Sequence, residues 1–311
     1  MPNSNGWGDG TANNTIGWGQ GSINNTIGWG SAYAVSEAGL TDIIGAPPAA
    51  AFVFDIDTSL GTGTDDFQLP LIAASFGTLN CTVDWGDGNS NTVTTPGTGD
   101  SHVYATGGTY TITITGSLVG WKFAFSGDCQ KITDISEWGV LDITEPFAFH
   151  GCANLTCSAT DAPTISTTNL SNTFNSATSF NGAIGNWDVS TVTNMGAMFR
   201  GASAFNQNIG TWDTSTVTNM NAMFQNATEF NQNISAWDVS QVSNFSLFMA
   251  GKSFKNYDAA NLDAIYNTWS LLSLQYTLTI DFGTIKYTAA GQTGKDDLIF
   301  NYSWTVNDGG I

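Results

Sequence analysis

The sequence predicts a mainly β fold in which an extended N-terminal strip precedes a β-sandwich and a solenoid of stacked repeats with a C-terminal cap. The composition is typical of turn-rich β structure, because 35 of 311 residues are Gly and only 11% are charged. Two tandem repeats occupy opposite ends of the chain, and short alternating strands lie between them. We place the parts at residues 1–46, 47–117, 118–261 and 262–311.

The strip is defined by a repeat of 11 residues, in which the motif NNTIGWG of residues 13–19 returns at residues 24–30. Such a Gly- and Asn-rich segment cannot bury enough surface to fold alone. Trp is enriched in interface hot spots, so the repeat predicts an anchor that docks into another subunit. A flexible linker is the alternative. The predicted anchor residues are Trp7, Trp18, Trp29, Ile16 and Ile27.

The sandwich is predicted from short strands that follow Pro47-Pro48. The clearest is residues 108–115, in which Tyr110, Ile112 and Ile114 alternate with Thr, as in a half-buried strand. Together with the turn Trp85-Gly86-Asp87-Gly88 and the motif His102-Val103-Tyr104, this region resembles a polycystic-kidney-disease (PKD) domain. The resemblance covers about residues 50–117 and implies an immunoglobulin-like sandwich used for spacing or adhesion.

The solenoid is predicted from a second repeat, in which Trp187, Trp212 and Trp237 are spaced by 25 residues. Phe and Ile positions keep the same register, so each block is expected to bury its apolar face against its neighbours. The motifs Trp-Asp-x-Ser-x-Val-Thr-Asn-Met and Phe-Asn-Gln-x-Ile resemble those of BspA-like leucine-rich-repeat surface proteins. The resemblance runs from about residue 118 to the end of the chain and implies a leucine-rich-repeat-like solenoid of about five turns.

Residues that recur once per block are predicted to be structural ladders. The Trp ladder is Trp187, Trp212 and Trp237, and the amide ladder includes Asn194, Asn219 and Asn244. Asp188, Asp213 and Asp238 recur in the same way, whereas catalytic carboxylates need unequal environments. Turn or helix caps are therefore favoured for these aspartates.

The cap is predicted to contain one amphipathic helix within residues 259–272, with Leu262, Ile265, Tyr266 and Trp269 on its apolar face. Two strands, at residues 276–282 and 300–306, are expected to complete it. Together these elements would cover the last turn of the solenoid, as stacked repeats require.

Charge and hydropathy exclude several partners. The formal net charge is −19 and no Lys/Arg cluster occurs, so the sequence predicts no nucleic-acid partner, because nothing is available to neutralise a row of phosphates. No apolar run has the length of a bilayer span, and the residues after Met1 lack the pattern of a secretory signal. Burial is expected for Cys81, Cys129, Cys152 and Cys157, and a disulfide between Cys129 and Cys152 is left open.

Candidate chemistry is sparse in the sequence. His102 and His150 have no obvious Cys or carboxylate partner at a catalytic or metal spacing, so packing roles are predicted. Calcium binding is left open by six aspartates, at positions 55, 57, 65, 66, 84 and 87. Their spacing does not resemble a calcium loop, so neither a metal nor a cofactor is predicted. Glycoside hydrolysis would need clustered acids, for which the scattered candidates are Glu137, Glu145, Asp161 and Glu229.

These observations favour a non-enzymatic virion protein, namely a tail or head fibre or a capsid decoration protein. The NNTIGWG motif is similar to the opening of phage structural proteins, which implies docking on other virion proteins through residues 1–46. The solenoid would recognise a host surface glycan or protein, and homo-oligomerisation is left open. The alternatives are a bacterial cell-surface adhesin and a tail-spike-like depolymerase. The proposed ligand-contact strip is Asn206, Gln207, Asn208, Asn231, Gln232 and Asn233.

Overall fold

A computed structural model describes residues 50–61, 64–73 and 77–311. The N-terminal strip with its Trp and Ile anchors lies outside these residues. Of the described residues, 24% are in strands and 9% in helices, so the prediction of a mainly β fold with few helices is confirmed. Residues 50–311 form one compact unit.

The described part of the chain contains twelve strands and two helices. The early strands are β1 (Ala51–Asp57), β2 (Asp66–Gln68), β3 (Asn80–Asp84), β4 (Ser90–Val93), β5 (Ser101–Val103) and β6 (Thr109–Ser117). The middle strands are β7 (Ile132–Glu137), β8 (Asp142–Ile143), β9 (Thr156–Cys157) and β10 (Thr164–Ile165). The last elements are α1 (Ala259–Trp269), β11 (Thr279–Asp281), α2 (Gln292–Tyr302) and β12 (Thr305–Asn307).

The largest sheet has six strands in the order β4-β3-β6-β1-β7-β9. Its central strands are antiparallel, whereas β9 lies parallel to β7. The alternation predicted for residues 108–115 is confirmed, because Ile112 and Ile114 of β6 are buried and the Thr residues between and beside them are more exposed. Strands from both sides of residue 117 therefore share this sheet and one hydrophobic core.

A buried lysine joins the strand β2 to the segment that precedes β7. The Lys131 side chain is fully buried, and its Nζ lies 2.8 Å from Asp66 Oδ1 and 2.9 Å from Asp128 Oδ1. The same Nζ donates to the main-chain oxygen of Asp66 at 2.7 Å. Such a buried charge needs several hydrogen-bonding partners, and here they come from segments more than sixty residues apart.

The 25-residue blocks lie directly on one another in what we call the repeat stack (residues 147–250). Main-chain N–H groups donate from one block to the next, as from Phe199 to Met223 O at 2.9 Å. The Phe174, Phe199 and Phe224 rings follow one another at 5.8 and 5.7 Å with nearly parallel planes. Like residues of successive blocks therefore contact one another in the interior.

One position of each block has a left-handed backbone although it is not glycine. The φ angles are 67° at Phe147, 59° at Asn172, 54° at Ala197, 52° at Ala222 and 61° at Leu247. A non-glycine residue in this conformation costs about 1–2 kcal/mol. The hydrogen bonds between blocks maintain it, since the Ala197 N–H donates to Asn221 O at 2.7 Å.

We expect Ala197→Gly to stabilise the protein by up to about 1 kcal/mol, because glycine adopts this φ without the Cβ penalty. The matched control is Ala202→Gly in the same block, where the φ is not positive and the methyl group is fully buried. That substitution should destabilise by about 1 kcal/mol. Urea denaturation checks both, and a loss of stability in Ala197→Gly would contradict the strain assignment.

Lys252 lies just after the repeat stack and takes the position that Ala202 and Ala227 hold in earlier blocks. Its buried Nζ donates to the main-chain oxygens of Ala227, Thr228 and Phe230 at 3.1, 2.6 and 2.7 Å. A fourth bond reaches Asn256 O at 3.1 Å. The ammonium group therefore satisfies carbonyl groups of the last regular block.

The cap follows the prediction in its helix and departs from it in its strands. Helix α1 buries Leu262, Ile265, Tyr266 and Trp269, so the predicted apolar face is confirmed. The strands are shorter than expected, and the prediction of a strand from residue 300 is wrong, because residues 292–302 form α2. Close contact between Gly294 and the Tyr266 backbone favours a helix that packs on α1 here.

Both helices have 11 residues. In the part of the chain that the structure describes, no helix is long and apolar enough to cross a membrane.

Candidate recognition surface

The amide ladder lies along one side of the repeat stack. Parallel bridges join Asn169, Asn194, Asn219 and Asn244 in succession. Each side-chain oxygen accepts a main-chain N–H two residues later, as from Gly196 to Asn194 Oδ1 at 2.9 Å. The Asn219 amide also donates to Asn194 Oδ1 at 2.8 Å. These amides therefore hold turns and, at this step, adjacent blocks.

We expect Asn219→Asp to destabilise the protein by about 1–3 kcal/mol at pH 7, because a carboxylate oxygen would face Asn194 Oδ1 where an N–H now donates. The matched control is Asn244→Asp, which keeps the acceptor for Ser246 N and should cost less. Thermal unfolding at pH 7 and pH 3 checks the difference. Protonation of the new carboxyl restores a donor, so the two variants should differ less in stability at pH 3 than at pH 7. If Asn219→Asp loses the same stability at both pH values, the role of the donor is contradicted.

The predicted ligand-contact strip is largely occupied by bonds between blocks. Asn206 N donates to Asn181 Oδ1 at 2.9 Å, and Asn231 N donates to Asn206 Oδ1 at 2.9 Å. The Gln232 amide donates to Asn206 Oδ1 at 2.7 Å. The Gln207 amide likewise donates to Asn181 Oδ1, and the oxygens of the exposed Asn208 and Asn233 accept from Gly210 N and Ser235 N. Much of the polar capacity of this strip therefore serves the stack.

The recurring aspartates close identical turns. Asp188 Oδ1 accepts from Ser190 Oγ at 2.6 Å and from Ser190 N at 3.1 Å, and Asp213 repeats both bonds with Ser215. These hydrogen bonds hold the pKa of the Asp188 and Asp213 carboxyls below their usual value. Asp238 accepts from Ser240 N at 2.9 Å. These aspartates therefore act as turn caps.

The Trp ladder is also hydrogen-bonded between blocks. The rings of Trp212 and Trp237 lie 6.5 Å apart and nearly parallel. Their indole N–H groups donate to Ile184 O and Ile209 O at 3.1 and 3.0 Å. Trp187 lies at the irregular start of the repeat, where its ring meets Trp138 edge-on at 5.3 Å. Among the described residues its indole N–H has no hydrogen-bond acceptor.

The PKD-like motif forms an aromatic and ionic cluster that the sequence reasoning missed in part. The sequence offered no partner for His102 at a catalytic or metal spacing, whereas in the structure its Nε2 lies 2.7 Å from Asp87 Oδ2. This hydrogen bond lowers the pKa of Asp87 to about 2. His102 also stacks on Trp85 at 5.3 Å, and Tyr104 Oη donates to Trp85 O. The cluster ties the turn that follows β3 to β5.

The other candidate groups for chemistry serve as structural acceptors or packed thiols. Both oxygens of Asp161 accept from Trp138 N, and one accepts from Gly139 N at 2.8 Å. All four cysteines are free thiols, and burial raises the pKa of Cys81 to about 11. Within residues 50–61, 64–73 and 77–311, no group of three His, Cys, Asp or Glu side chains could hold a metal ion. The six aspartates considered for calcium therefore do not converge there.

A face that sequence reasoning did not single out lies at the outer turns near the start of the stack. We call it the turn face, and it comprises Lys122, Phe125, Phe147, His150 and Arg200. Its signal in the sequence is a position that varies while the 25-residue spacing persists, namely 150, 175, 200, 225 and 250. Arg200 and Phe125 are exposed, whereas the other three are half-buried.

These features define a mainly β protein with 25-residue blocks stacked in parallel. Residues 145–262 match a family model described as "Mycoplasma protein of unknown function, DUF285". This part of the chain is therefore similar to a family of repeat-containing proteins. No curated protein and no solved structure matches the chain.

Proposed function

We propose that the chain is a non-enzymatic surface protein that recognises or adheres to a ligand through its repeats. The observation that carries this proposal is that structural residues and variable surface residues occupy separate positions of each block. Repeated Phe, Trp, Asn and Asp residues supply packing, block-to-block bonds and turn caps, whereas outer turn positions differ from block to block. A regular backbone that presents variable side chains is the arrangement that repeat proteins use for binding.

The finer assignment of the parts is also a proposal. We interpret the stack as a leucine-rich-repeat-like solenoid of the BspA type, which the match of residues 145–262 to a repeat family supports. We interpret the region before it as a PKD-like sandwich. The contacts of Trp85, His102 and Tyr104 support this assignment, because all three belong to the motif that carries the resemblance.

We propose the surface of a virus particle as the location, with residues 1–46 as the anchor to other virion proteins. The NNTIGWG repeat supports this location. The second candidate is a bacterial cell-surface adhesin, for which the matching family's description as a Mycoplasma protein supports the bacterial source alone. The neighbouring genes discriminate between them, since capsid or tail genes support the first location and secretion genes support the second.

The anchor assignment is tested by expressing a variant that lacks residues 1–46 during particle assembly and measuring its amount in purified particles. We expect incorporation to fall to background. A matched variant carries Trp7→Ala, Trp18→Ala and Trp29→Ala in the full chain, and it should show the same loss if the Trp residues dock. Unchanged incorporation of the deletion variant would refute the anchor.

The adhesive role is tested with the labelled full-length protein on intact cells. We expect saturable binding to the cell surface without release of reducing sugars from surface polysaccharide. The depolymerase alternative predicts the opposite, namely new reducing ends that accumulate with time. Absence of saturable binding to a panel of bacterial and animal cells would refute adhesion.

A further inference from the structure

The outer turn of each block contains one position at which the residue differs from block to block. The residues there are His150, Asn175, Arg200, Gln225 and Ala250. The main-chain oxygens of the last four accept from the preceding block at 2.8, 2.7, 2.8 and 2.9 Å. The main chain makes these bonds, so they do not depend on which side chain is present. Asn175 is the exception in its side chain, which is buried and bonded to Asn172 and Ser176.

Aromatic side chains surround the first of these positions. The His150 ring lies 5.1 Å from the Phe125 ring and 5.6 Å from the Phe147 ring. Phe125 is 60% exposed, although most large apolar side chains of this unit are buried. A solvent-exposed phenyl ring beside a second aromatic ring offers a flat apolar surface to a ligand.

Basic groups lie on both sides of this aromatic surface. Lys122 Nζ is 5.5 Å from the centroid of the Phe147 ring. Arg200 occupies the variable position two blocks beyond His150, which corresponds to about 10 Å at one strand spacing per block. Its charge, after burial, contributes to a lowered pKa of His150. Arg200 is exposed, so its guanidinium group is available to a ligand.

This concentration of positive charge is unusual in a chain with only 7 Lys and Arg residues against 26 acids. Lys131, Lys252 and Lys295 are committed to buried bonds or ion pairs. Two carboxylates flank the turn face in sequence. Asp128 is paired with Lys131, and Glu145 is buried. The face therefore brings two basic side chains, Lys122 and Arg200, close to exposed and half-buried aromatic rings on an acidic protein.

A shallow cavity extends the turn face toward β2. Its volume is about 180 Å³, and its lining includes Lys122, Phe123, Ser126 and Leu71 together with Asp128, whose carboxylate is paired with Lys131. Because Lys122 belongs to both the cavity and the face, a chain-like ligand can contact the cavity and the aromatic rings together. Near the rings, His150 Nδ1 is buried and has no hydrogen-bond partner among the described residues.

We propose that the turn face binds an anionic glycan, with sugar rings on Phe125 and Phe147 and carboxylate groups at Arg200 and Lys122. This inference rests on the proposed function and names the ligand class of its recognition surface. A pyranose ring has an apolar C–H face that suits an aromatic ring, and the planar guanidinium group binds a carboxylate through two parallel hydrogen bonds. The charge of the face favours a uronate over a neutral sugar.

The test measures binding of the full-length protein to octagalacturonate and to its methyl ester by isothermal titration calorimetry. The ester keeps the sugar rings and removes the negative charges. We expect the acid to bind at least tenfold more tightly. Arg200→Gln should weaken binding of the acid about tenfold, and Phe125→Ala should weaken binding of both ligands.

The matched controls are Lys255→Gln, an exposed base outside the face, and Leu271→Ala, an exposed apolar residue of the cap. Both should bind like the wild type. Equal binding of acid and ester, equal weakening by Lys255→Gln, or no binding of octagalacturonate would overturn the proposal. Equally tight binding of poly-glutamate would also overturn it, because charge alone would then suffice.

Failure of this proposal is distinguishable from failure of the proposed function. If the wild type adheres to cells but does not bind octagalacturonate, and Arg200→Gln adheres normally, adhesion stands and the turn face is not its site. If neither cells nor octagalacturonate bind, both proposals fail.

Discussion

Phe199→Ala should destabilise the protein by about 3–5 kcal/mol, the range for removing a fully buried phenyl ring from a core that cannot close around the cavity. Phe199 contacts rings in three directions, at 5.8 Å to Phe174, 5.7 Å to Phe224 and 4.0 Å to Phe205. Hydrogen bonds on both neighbouring blocks fix the spacing of the ladder, so the blocks cannot move together to fill the space. Urea denaturation followed by tryptophan fluorescence measures the loss.

The control for this substitution is Phe300→Ala in α2. Phe300 is 79% exposed, so its removal should change the free energy of unfolding by no more than about 0.5 kcal/mol. A similar loss in both variants would show that the interior ladder does not carry the stability of the stack.

The second large effect is a pH dependence produced by Lys252. Burial lowers the pKa of this lysine to about 8, from 10.5 in the unfolded chain. Between these values the unfolded chain binds more protons than the folded chain, so the contribution of Lys252 to stability rises with pH. A difference of about 2.5 units corresponds to about 3 kcal/mol, gained from below pH 8 to above pH 10.5.

The measurement compares the wild type with Lys252→Met, which retains the apolar stem and removes the titrating group. Subtracting the variant's free energy of unfolding at each pH from 7 to 10 cancels other titrations. We expect the difference to move in favour of the wild type as the pH rises. The control is Lys255→Met at an exposed position. A constant difference between wild type and Lys252→Met over this range contradicts the assignment.

The elements that the sequence predicted well are those in which a local period coincides with burial. Ile112 and Ile114 alternate with Thr, and they are buried in β6 as that period requires. Leu262, Ile265, Tyr266 and Trp269 follow a helical period and form the buried face of α1. In both cases the spacing of apolar residues within one short segment is enough to predict the element and its buried face.

The elements that the sequence did not predict depend on partners far away in the chain. A strand was predicted from residue 300, but contact of Gly294 with α1 accompanies a helix over residues 292–302. His102 meets Asp87 across 15 residues, and no recognised catalytic spacing pointed to that pair. The turn face is similarly assembled from residues up to 78 positions apart. Only the variable position, which His150 and Arg200 occupy, can be recognised in the sequence.

The sequence by itself determined the mainly β class, the strands with a period of two and the recurrence of Phe, Trp, Asn and Asp at each block. It could do so because every block presents the same apolar pattern to the next, so the pattern within one block also specifies which residues pack between blocks. Only the tertiary structure decided that β7 joins the sheet of β1, that Lys252 bonds to the last regular block and that the rings of Phe125, Phe147 and His150 lie together. Each of these three features depends on contacts between segments with unrelated sequences, and no pattern within either segment predicts such a contact.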